Sequence, residues 1–435
     1  MNRAIVIGAG LAGCEAAWAL ANSGIKVTLY EMKPQRFSPA HTYEGFAELV
    51  CSNSLKAMRL ESAAGLLKAE MRRLGSLILA CADDTAVAAG GALAVDRAAF
   101  SDAVTQKIAS HPLIEVRRQE LTEIPQGDVV VASGPLTSEA LAQSIGGLVG
   151  GKFLSFFDAA APIVEADTIN WDRVFLAARY DRGEADYINC PFTKEEYETF
   201  YEALASAQAV ELHEFERQQF KVYEGCMPVE VMAGRGIDTL RFGPMRPVGL
   251  RDPKTGNRPW ANVQLRKENE AGTLYNLVGF QTNLKFGEQK RVFSLIPGLE
   301  NASFARYGVM HRNTFLDSPR LLNRSLSLKA CPRISFAGQI TGVEGYIESA
   351  ASGILAGLNL ARRLEGKDPL VLPPETMLGA LIGYISDPSV ADFQPMGSNM
   401  GILPPLEEHI RDKAGRYGAL AQRSLAALEQ TLTKD

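Results

Sequence analysis

The sequence predicts an α/β fold in which a domain built on a parallel sheet is interrupted by an α+β insertion. Three observations lead to this prediction: a glycine-rich turn between an apolar strand and a helix near residue 8, turns and short strands over 152–325, and a second strand, glycine and helix after residue 330. Strands that alternate with helices form parallel sheets, whereas strands joined by short turns form antiparallel ones. We therefore expect three segments, 1–151, 152–325 and 326–435, with the first and third forming one domain.

The first βαβ unit follows the start of the chain. Ala4 to Ile7 is a short apolar run, and Leu11 to Asn22 is rich in Ala and Leu, which predicts a strand and a helix. Gly24 is placed to end the helix in the left-handed conformation. Val27 to Tyr30 supplies the second strand. This order is typical of the opening of a Rossmann-type domain.

The turn inside this unit, Gly8-Ala9-Gly10-Leu11-Ala12-Gly13, fits the G-x-G-x-x-G pattern. Its glycines permit a tight turn, close approach of a pyrophosphate to the backbone, and close packing of helix on strand. The helix N-terminus then faces the phosphates. Glu31 comes 18 positions after Gly13, near the ~20 at which an acidic residue meets the ribose hydroxyls. The pattern and its context together predict a dinucleotide site.

The rest of the first segment contains a helix, a loop and a strand. Apolar residues at helical spacing predict one helix from about Leu60; they are Ala64, Leu67, Met71, Leu74 and Ile78. Cys51-Ser52-Asn53-Ser54 precedes this helix as a polar loop. Asp128 to Ala132 is a β-branched run that Ser133-Gly134-Pro135 ends, which predicts a central strand and a tight turn.

The insertion has the signals of an antiparallel sheet with one helix. Thr193 and Glu196 have capping-box spacing, which predicts a helix start. Asp252 to Gly256 predicts a turn. Trp260 to Leu265 and Thr273 to Phe280 predict strands about a short connection.

The third segment returns to the parallel-sheet pattern. Arg333 to Ala337 predicts a strand, Gly338 a turn, Gly345 to Arg363 a long helix, and Gly415 to Thr431 a C-terminal helix. Gly134 and Gly338 would bring two further turns to the glycine-rich site, and three converging segments suit a long, bound FAD better than an exchangeable nicotinamide. The predicted domain is thus FAD-binding and glutathione-reductase-like. The alternative is that Gly134 and Gly338 are ordinary loop glycines that contact no ligand.

Composition excludes several classes of protein. No stretch approaches the ~20 apolar residues that cross a bilayer, and the first apolar run is too short for a signal peptide, so we expect a soluble, cytoplasmic protein. The six cysteines and five histidines are scattered, which favours reduced thiols and predicts no metal site. The net charge of −5 argues against a globally basic nucleic-acid binder.

Basic residues are nevertheless concentrated in one part of the insertion. Eight Lys or Arg stand against Asp238 and Asp252 between 235 and 267, a local excess of +6. The eight are Arg235, Arg241, Arg246, Arg251, Lys254, Arg258, Arg266 and Lys267. Such a segment suits phosphate binding, although charge alone favours an ordinary solvated surface.

Several motifs together resemble one enzyme family over essentially the whole chain. They are the glycine turn at 8–13, Val-Cys-Ser-Asn-Ser-Leu at 50–55, Gly-Gly-Ala-Leu-Ala-Val-Asp-Arg at 90–97, Phe-Gly-Pro-Met at 242–245, Tyr-Gly-Val-Met-His-Arg-Asn-Thr at 307–314 and Gly-Val-Glu-Gly-Tyr at 342–346. The chain resembles the bacterial folate- and FAD-dependent tRNA (uracil-5-)-methyltransferases. The segments at 50–55 and 342–346 are the most specific, since many flavoproteins share the glycine turn.

The resemblance implies methylation of C5 of the T-loop uridine in tRNA, with methylenetetrahydrofolate as carbon source and NAD(P)H supplying electrons through FAD. Uracil C5 is a poor nucleophile until a thiolate adds at C6, so the reaction requires a reactive cysteine. The resemblance assigns that role to Cys226 and places Cys51 beside the flavin, where it would help to hold or release the one-carbon unit. It places Tyr346 near the isoalloxazine and the pterin. Arg97 and His311 lie in family-like segments.

The remaining cysteines are expected to pack as small hydrophobic residues; they are Cys14, Cys81, Cys190 and Cys331. Binding of tRNA would engage six of the basic residues, namely Arg235, Arg241, Arg246, Arg251, Lys254 and Arg258. The alternatives are an FAD enzyme that modifies the tRNA wobble uridine, a flavin oxidoreductase for small molecules, and a non-catalytic nucleotide sensor.

Overall fold

A computed structural model describes residues 2–151, 153–181, 185–210, 227–308, 310–391, 393–408 and 410–433, with only the backbone at 153–159, 181 and 310–313. Its strands are β1 Arg3–Ile7, β2 Lys26–Glu31, β3 Ser54–Ala57, β4 Ala86–Val87, β5 Ala92–Val95, β6 Ile114–Arg118, β7 Val129–Val131, β8 Phe153–Ala159, β9 Ile163–Glu165, β10 Phe175–Leu176, β11 Tyr187–Phe192, β12 Ala261–Lys267, β13 Leu274–Leu277, β14 Phe304–Arg306, β15 Met310–Leu316, β16 Ser327–Leu328 and β17 Cys331–Phe336.

The α-helices in the described ranges are α1 Leu11–Asn22, α2 Ala63–Arg73, α3 Leu77–Asp84, α4 Arg97–Ser110, α5 Glu139–Val149, α6 Lys194–Ala205, α7 Val229–Ala233, α8 Thr239–Phe242, α9 Phe286–Phe293, α10 Ser318–Leu321, α11 Tyr346–Leu364, α12 Met377–Ser386 and α13 Lys413–Thr433. None of the helices described combines the length and the apolar character that crossing a membrane requires.

The first sheet has the strand order β16-β17-β7-β1-β2-β6. All neighbours from β17 to β6 are parallel, and β16 is antiparallel to β17. The late strand β17 pairs with β7, with Ile334 opposite Val129, so the chain returns to its first sheet as predicted. The predicted α/β class with a Rossmann-type parallel sheet is confirmed.

Helices α1 and α11 pack closely on one another because glycines remove side chains at their contact. A Cβ built at Gly353 would overlap the carbonyl oxygen of Ala12, and one at Gly357 would lie 2.6 Å from that of Ala16. Both helices follow strands of the first sheet, β1 and β17. The contact therefore fixes the chain return against the opening βαβ unit.

The second sheet is antiparallel and has the order β10-β11-β12-β13-β9-β14. It packs on a hydrophobic core separate from that of the first sheet. The capping box of Thr193 and Glu196 begins α6, and Gly256 N–H donates to Asp252 C=O at 2.8 Å in the predicted turn. The predicted division into 1–151, 152–325 and 326–435 stays a prediction.

The predicted single helix from Leu60 is wrong: two helices occupy this region. Helix α2 ends at Arg73, Gly75 takes a φ of 77°, and α3 begins at Leu77. Ser76 caps α3, and the buried carboxylate of Glu15 accepts from the N–H groups of Leu77 and Ile78, both at 3.0 Å. The apolar spacing continued across the break because both helices bury residues in the same core.

Candidate functional site

A cavity opens at the carboxyl edge of the first sheet, which is where ligands bind in open parallel sheets. We call it the nucleotide cavity. Gly8 follows β1, Gly134 lies beyond the end of β7, and Gly338 lies beyond β17. All three line the cavity, and their φ values are 95°, 73° and 83°. Three separate chain segments thus turn at this edge with backbone conformations that favour glycine.

The three glycines of the fingerprint have different surroundings. A Cβ built at Gly8 would lie 2.6 Å from the carbonyl oxygen of Ala132, and one at Gly13 would overlap the carbonyl oxygen of Gly8. A Cβ at Gly10 would meet nothing within 4 Å. Packing therefore requires Gly8 and Gly13, whereas the open side of Gly10 is left for a ligand.

The structure brings nearly all the predicted cofactor-binding residues together. Nine of the ten line the nucleotide cavity, namely Gly8, Ala9, Gly10, Leu11, Ala12, Glu31, Gly134, Gly338 and Tyr346. Gly13 lies beneath the turn, where it permits α1 to pack against β1.

Glu31 ends β2 and is 7% exposed. One carboxylate oxygen accepts from Ala9 N–H at 2.7 Å, and the other accepts from Lys33 N–H at 3.0 Å. A carboxylate oxygen has room for more than one donor. Glu31 is therefore held against the glycine turn and can still accept from a hydroxyl in the cavity, as the ribose assignment requires.

The start of α1 provides an anion-binding end. Gly10 is its N-cap, and neither a side-chain cap nor an acidic residue occupies the first turn. Free N–H groups and the helix dipole attract a negative group at this position. With the open side of Gly10 beside them, these groups fit the pyrophosphate of a dinucleotide such as FAD.

Tyr346 joins the nucleotide cavity to the loop Cys51–Asn53, which we call the Cys51 loop. The Tyr346 ring lines the cavity at the start of α11. Its hydroxyl oxygen accepts from the backbone N–H groups of Cys51 at 2.7 Å and Ser52 at 3.2 Å. Burial raises the pKa of the phenol far above its usual range. Tyr346 therefore keeps its proton and holds the Cys51 loop at the rim of the cavity.

Arg266 holds the same loop from the insertion. Its side chain is buried on β12 and donates to Ser52 Oγ at 2.6 Å and Asn53 Oδ1 at 3.0 Å. The amide of Asn53 donates back to Lys267 C=O at 2.9 Å and to Val95 C=O at 3.0 Å. The Cys51 loop is thus fastened to both the second sheet and β5.

Two further arginines give the Cys51 loop a positive surrounding. Arg97 pairs with Glu268 at 2.5 Å and donates to Leu49 C=O. Arg306 lies within electrostatic range of Cys51, Tyr346 and Arg97; burial lowers its pKa, and the charge of Arg97 lowers it further. Arg97 is likewise within range of Cys51. Positive neighbours of this kind are typical of reactive cysteines.

The other cysteines of the described ranges have different environments. Cys14, Cys81 and Cys190 are buried, and Cys331 is half-buried. Burial raises the pKa of Cys81 to about 11 and that of Cys14 and Cys190 well above the usual range. These three thiols are protonated packing groups. Cys226 and the side chain of His311 lie outside the described residues.

Sequence reasoning missed several residues of this site, namely Asn53, Arg266, His41 and Arg306. His41 lines the nucleotide cavity, and burial, followed by the charge of Lys33, lowers its pKa. Arg266 carried a signal: Asn262, Gln264 and Arg266 alternate with Val263 and Leu265 along one strand, so one face of β12 is polar and buried. The partners across that face depend on the fold.

The basic segment is not one surface. Arg266 is 7% exposed and therefore cannot belong to a solvated patch, which corrects its inclusion among the basic surface residues. Arg241 pairs with Asp238 at 2.9 Å, and Lys254 donates to Asp172 C=O. Four arginines remain exposed, and their side chains make no hydrogen bond or ion pair with any residue that the structure describes; they are Arg235, Arg246, Arg251 and Arg258.

Comparisons with known proteins agree with this arrangement. The family model "Glucose inhibited division protein A" matches residues 3–368. A crystal structure of Aquifex aeolicus GidA superposes with a TM-score of 0.70 at 17% identity, covering 99% of this chain and 73% of that one. At this identity the likeness concerns the fold alone.

Curated relatives are much more similar. The chain is 57% identical to the methylenetetrahydrofolate–tRNA-(uracil-5-)-methyltransferase TrmFO of Enterococcus faecalis over 431 residues, 99% of both chains. It is 58% identical to the protein of that name from Pelotomaculum thermopropionicum, covering 98% of this chain and 97% of the relative. The chain therefore belongs to the family of methylenetetrahydrofolate–tRNA-(uracil-5-)-methyltransferases.

Proposed function

We propose that this chain methylates C5 of the T-loop uridine of tRNA in the cytoplasm, with 5,10-methylenetetrahydrofolate as carbon donor, FAD as bound cofactor and NAD(P)H as reductant. The observation that carries the proposal is the junction at Tyr346, which lines the nucleotide cavity and accepts from Cys51 N–H. Relatives 57% identical are named for methylenetetrahydrofolate and for tRNA uracil, which supports this choice of substrates.

The reaction balances with these components. The C5–H bond of uridine is replaced by C5–CH3, the C5 hydrogen leaves as a proton, and tetrahydrofolate is released. The methylene carbon needs two electrons to become a methyl group, and NAD(P)H is oxidised to provide them. FAD, when bound, would pass this electron pair to the one-carbon unit.

The chain's own residues would position the cofactor. The N–H groups at the start of α1, from Gly10 to Ala12, would face the pyrophosphate, and Glu31 would accept from a ribose hydroxyl, since both border the nucleotide cavity. Gly134 and Gly338 would leave space for the rest of FAD where β7 and β17 end. The ring of Tyr346 would lie flat against the isoalloxazine or the pterin.

Two cysteines would take part in the covalent chemistry. Cys226 would add as a thiolate to uridine C6, which makes C5 nucleophilic; this assignment comes from the resemblance. Cys51 would act on the one-carbon unit beside the flavin. Its loop is immobilised by Tyr346 and Arg266, and immobilised groups reach a reacting carbon at less entropic cost.

The test is mass analysis of undermethylated tRNA after incubation with the flavin-loaded protein, methylenetetrahydrofolate and NADPH. We expect a folate-dependent gain of 5-methyluridine, mapped to the T-loop. The variants Cys226→Ala and Cys51→Ala should lose the methyl transfer and retain FAD. Cys331→Ala, which changes a half-buried thiol expected only to pack, is the matched control and should retain both.

Other outcomes would favour the alternatives. Modification confined to the anticodon would indicate a wobble-uridine enzyme. No modification by FAD-loaded protein, together with NAD(P)H-dependent reduction of small acceptors, would indicate a flavin oxidoreductase. A protein that binds the dinucleotide and catalyses neither reaction would fit the nucleotide sensor.

A further inference from the structure

Two neighbouring hollows on the insertion share Arg258 and each contains an exposed aromatic ring. The first, which we call the tyrosine hollow, has a volume of about 570 Å³ and is bordered by Tyr180, Arg251 and Arg258. The second, the phenylalanine hollow, has a volume of about 510 Å³ and is bordered by Phe242, Arg246 and Arg258. Both volumes lie within the ~300–1,000 Å³ of small-ligand sites. Each is therefore large enough for one nucleotide.

The ring of Phe242 is unusually exposed. It ends α8 and is 82% exposed, more than any other large hydrophobic side chain in the described ranges. Tyr180 is 53% exposed, and its ring lies over Gly249, where a Cβ would come within 3.0 Å of three ring atoms. One face of Tyr180 thus lies against backbone, and about half of the residue is exposed. Exposed aromatic faces of this kind are where unpaired bases stack.

The charged side chains described around the two rings are arginines, and one of them, Arg241 in the phenylalanine hollow, pairs with Asp238 at 2.9 Å. Arg246, Arg251 and Arg258 are exposed and make no ion pair or hydrogen bond through their side chains to any residue that the structure describes. Among the residues whose side chains the structure describes, no Asp or Glu lines either hollow. A guanidinium at the edge of each hollow is suited to a phosphate, and an aromatic ring inside it is suited to a base.

The backbone between the hollows is fixed before any ligand arrives. Arg179 donates to the carbonyl oxygens of Arg246 at 2.6 Å and Val248 at 2.9 Å, and to Gln264 Oε1 at 2.8 Å. The N–H of Tyr180 donates to Gly249 C=O at 2.8 Å. A preorganised surface loses less entropy on binding than a mobile loop does.

We propose that the two hollows are adjacent subsites for unpaired nucleotides of RNA, with Phe242 and Tyr180 stacking on bases and Arg246, Arg251 and Arg258 binding the phosphates between them. This inference rests on the proposed function in one respect only, which is that the RNA is taken to be tRNA. The subsites add recognition of unpaired bases to a basic segment whose cations would otherwise bind phosphate alone.

The experiment measures the affinity of undermethylated tRNA for the flavin-loaded full chain by fluorescence anisotropy. Stacking on an aromatic residue contributes about 1–3 kcal/mol per base, so we expect Phe242→Leu to weaken binding by about five-fold or more. Phe242→Trp keeps an aromatic face and should stay within about two-fold of wild type. Phe286→Leu is the matched control, because Phe286 is 56% exposed but lies outside both hollows.

Methylation by the wild-type protein, measured on the same preparation, separates this inference from the proposed function. If wild type methylates tRNA and Phe242→Leu binds as tightly as wild type, the subsites are overturned and the proposed function stands. If binding depends on Phe242 and no uridine is methylated, the subsites stand and the proposed function is overturned. Absence of any tRNA binding by wild type overturns both.

Discussion

Arg266 and Arg258 belong to the same basic segment of the sequence and occupy opposite environments. Arg266 is buried on β12 and donates to the Cys51 loop. Arg258 is exposed in the loop before β12 and borders both hollows. The difference shows that a run of positive charge can serve two purposes. An arginine inside a strand can hold a neighbouring loop in place, whereas an arginine in a loop can face solvent and meet a ligand.

The largest effect is expected from Arg266→Met, which tests the buried side of the comparison. The change removes the donors to Ser52 Oγ and to Asn53 Oδ1, and Asn53 is fully buried. Leaving such an acceptor without a donor should lower the free energy of unfolding by about 2 kcal/mol and reduce methylation by at least about ten-fold. Chemical denaturation and single-turnover assays measure both. Arg251→Met, which changes an exposed arginine of the same segment, is the control for stability, and equal stability of the two variants would show that Arg266 does not brace the loop.

Arg179→Met should have a smaller effect, because the hydrogen bonds by which this arginine holds the exposed side are only partly buried. Its loss frees the carbonyl oxygens of Arg246 and Val248, which should cost about 1–2 kcal/mol of stability. Weaker tRNA binding should accompany it, since the loop between the hollows loses its fixed geometry. Arg173→Met removes exposed ion pairs with Glu196 and Glu300 and should cost less than about 1 kcal/mol. Unchanged tRNA affinity in Arg179→Met would argue against preorganisation.

The variant Tyr346→Phe tests whether Arg266 alone holds the Cys51 loop. The phenylalanine keeps the ring in the nucleotide cavity but removes the acceptor for the N–H groups of Cys51 and Ser52. We expect a loss of about 1 kcal/mol of stability, slower methylation and nearly unchanged FAD content. Combined with Arg266→Met, the stability effects should be non-additive, because both contacts restrain one loop. Tyr384→Phe is the control: it removes the hydrogen bond that the Tyr384 hydroxyl on α12 donates to Gln394 C=O, and it should leave the methylation rate unchanged.

The smallest effect on stability, below about 0.5 kcal/mol, is expected from Arg246→Ala, because exposed side chains without partners contribute little to folding. Binding of tRNA should weaken. The slope of log affinity against log salt concentration should become shallower by about one, which is the contribution of one phosphate contact. Titrations at several salt concentrations measure this slope. Arg416→Ala changes an exposed arginine on α13 and serves as the control. An unaltered slope for Arg246→Ala would show that Arg246 does not bind a phosphate.

Much of the fold could be predicted from the sequence because its signals are local. The glycine turn, β1, α1 and the capping box of Thr193 each depend on residues within a few positions of one another, and each was found where predicted. The helix expected from Leu60 was wrong for a related reason. Periodicity shows which side of the chain is buried. Gly75 and Ser76 end one helix and start the next, but the same side of the chain stays buried.

The Cys51 loop could be named from the sequence, but its environment could not. Its motif lies within a few consecutive residues, whereas its contacts come from Tyr346 and Arg266, which are more than 200 positions away. Neither partner can be deduced without knowing that α11 and β12 meet at this loop. The same is true of the two hollows, which join Tyr180 to Arg251 and Phe242 to Arg258.

The sequence by itself determined the α/β class, the glycine turn of the nucleotide cavity, the family resemblance and the presence of a basic segment. These follow from short-range patterns, because turns, caps and strand periodicity are set by neighbouring residues. Only the tertiary structure decided which arginines of that segment are buried, since the direction of a side chain on β12 depends on strand pairing. Burial then separates a charge that must find partners inside the protein from one that remains available to a ligand.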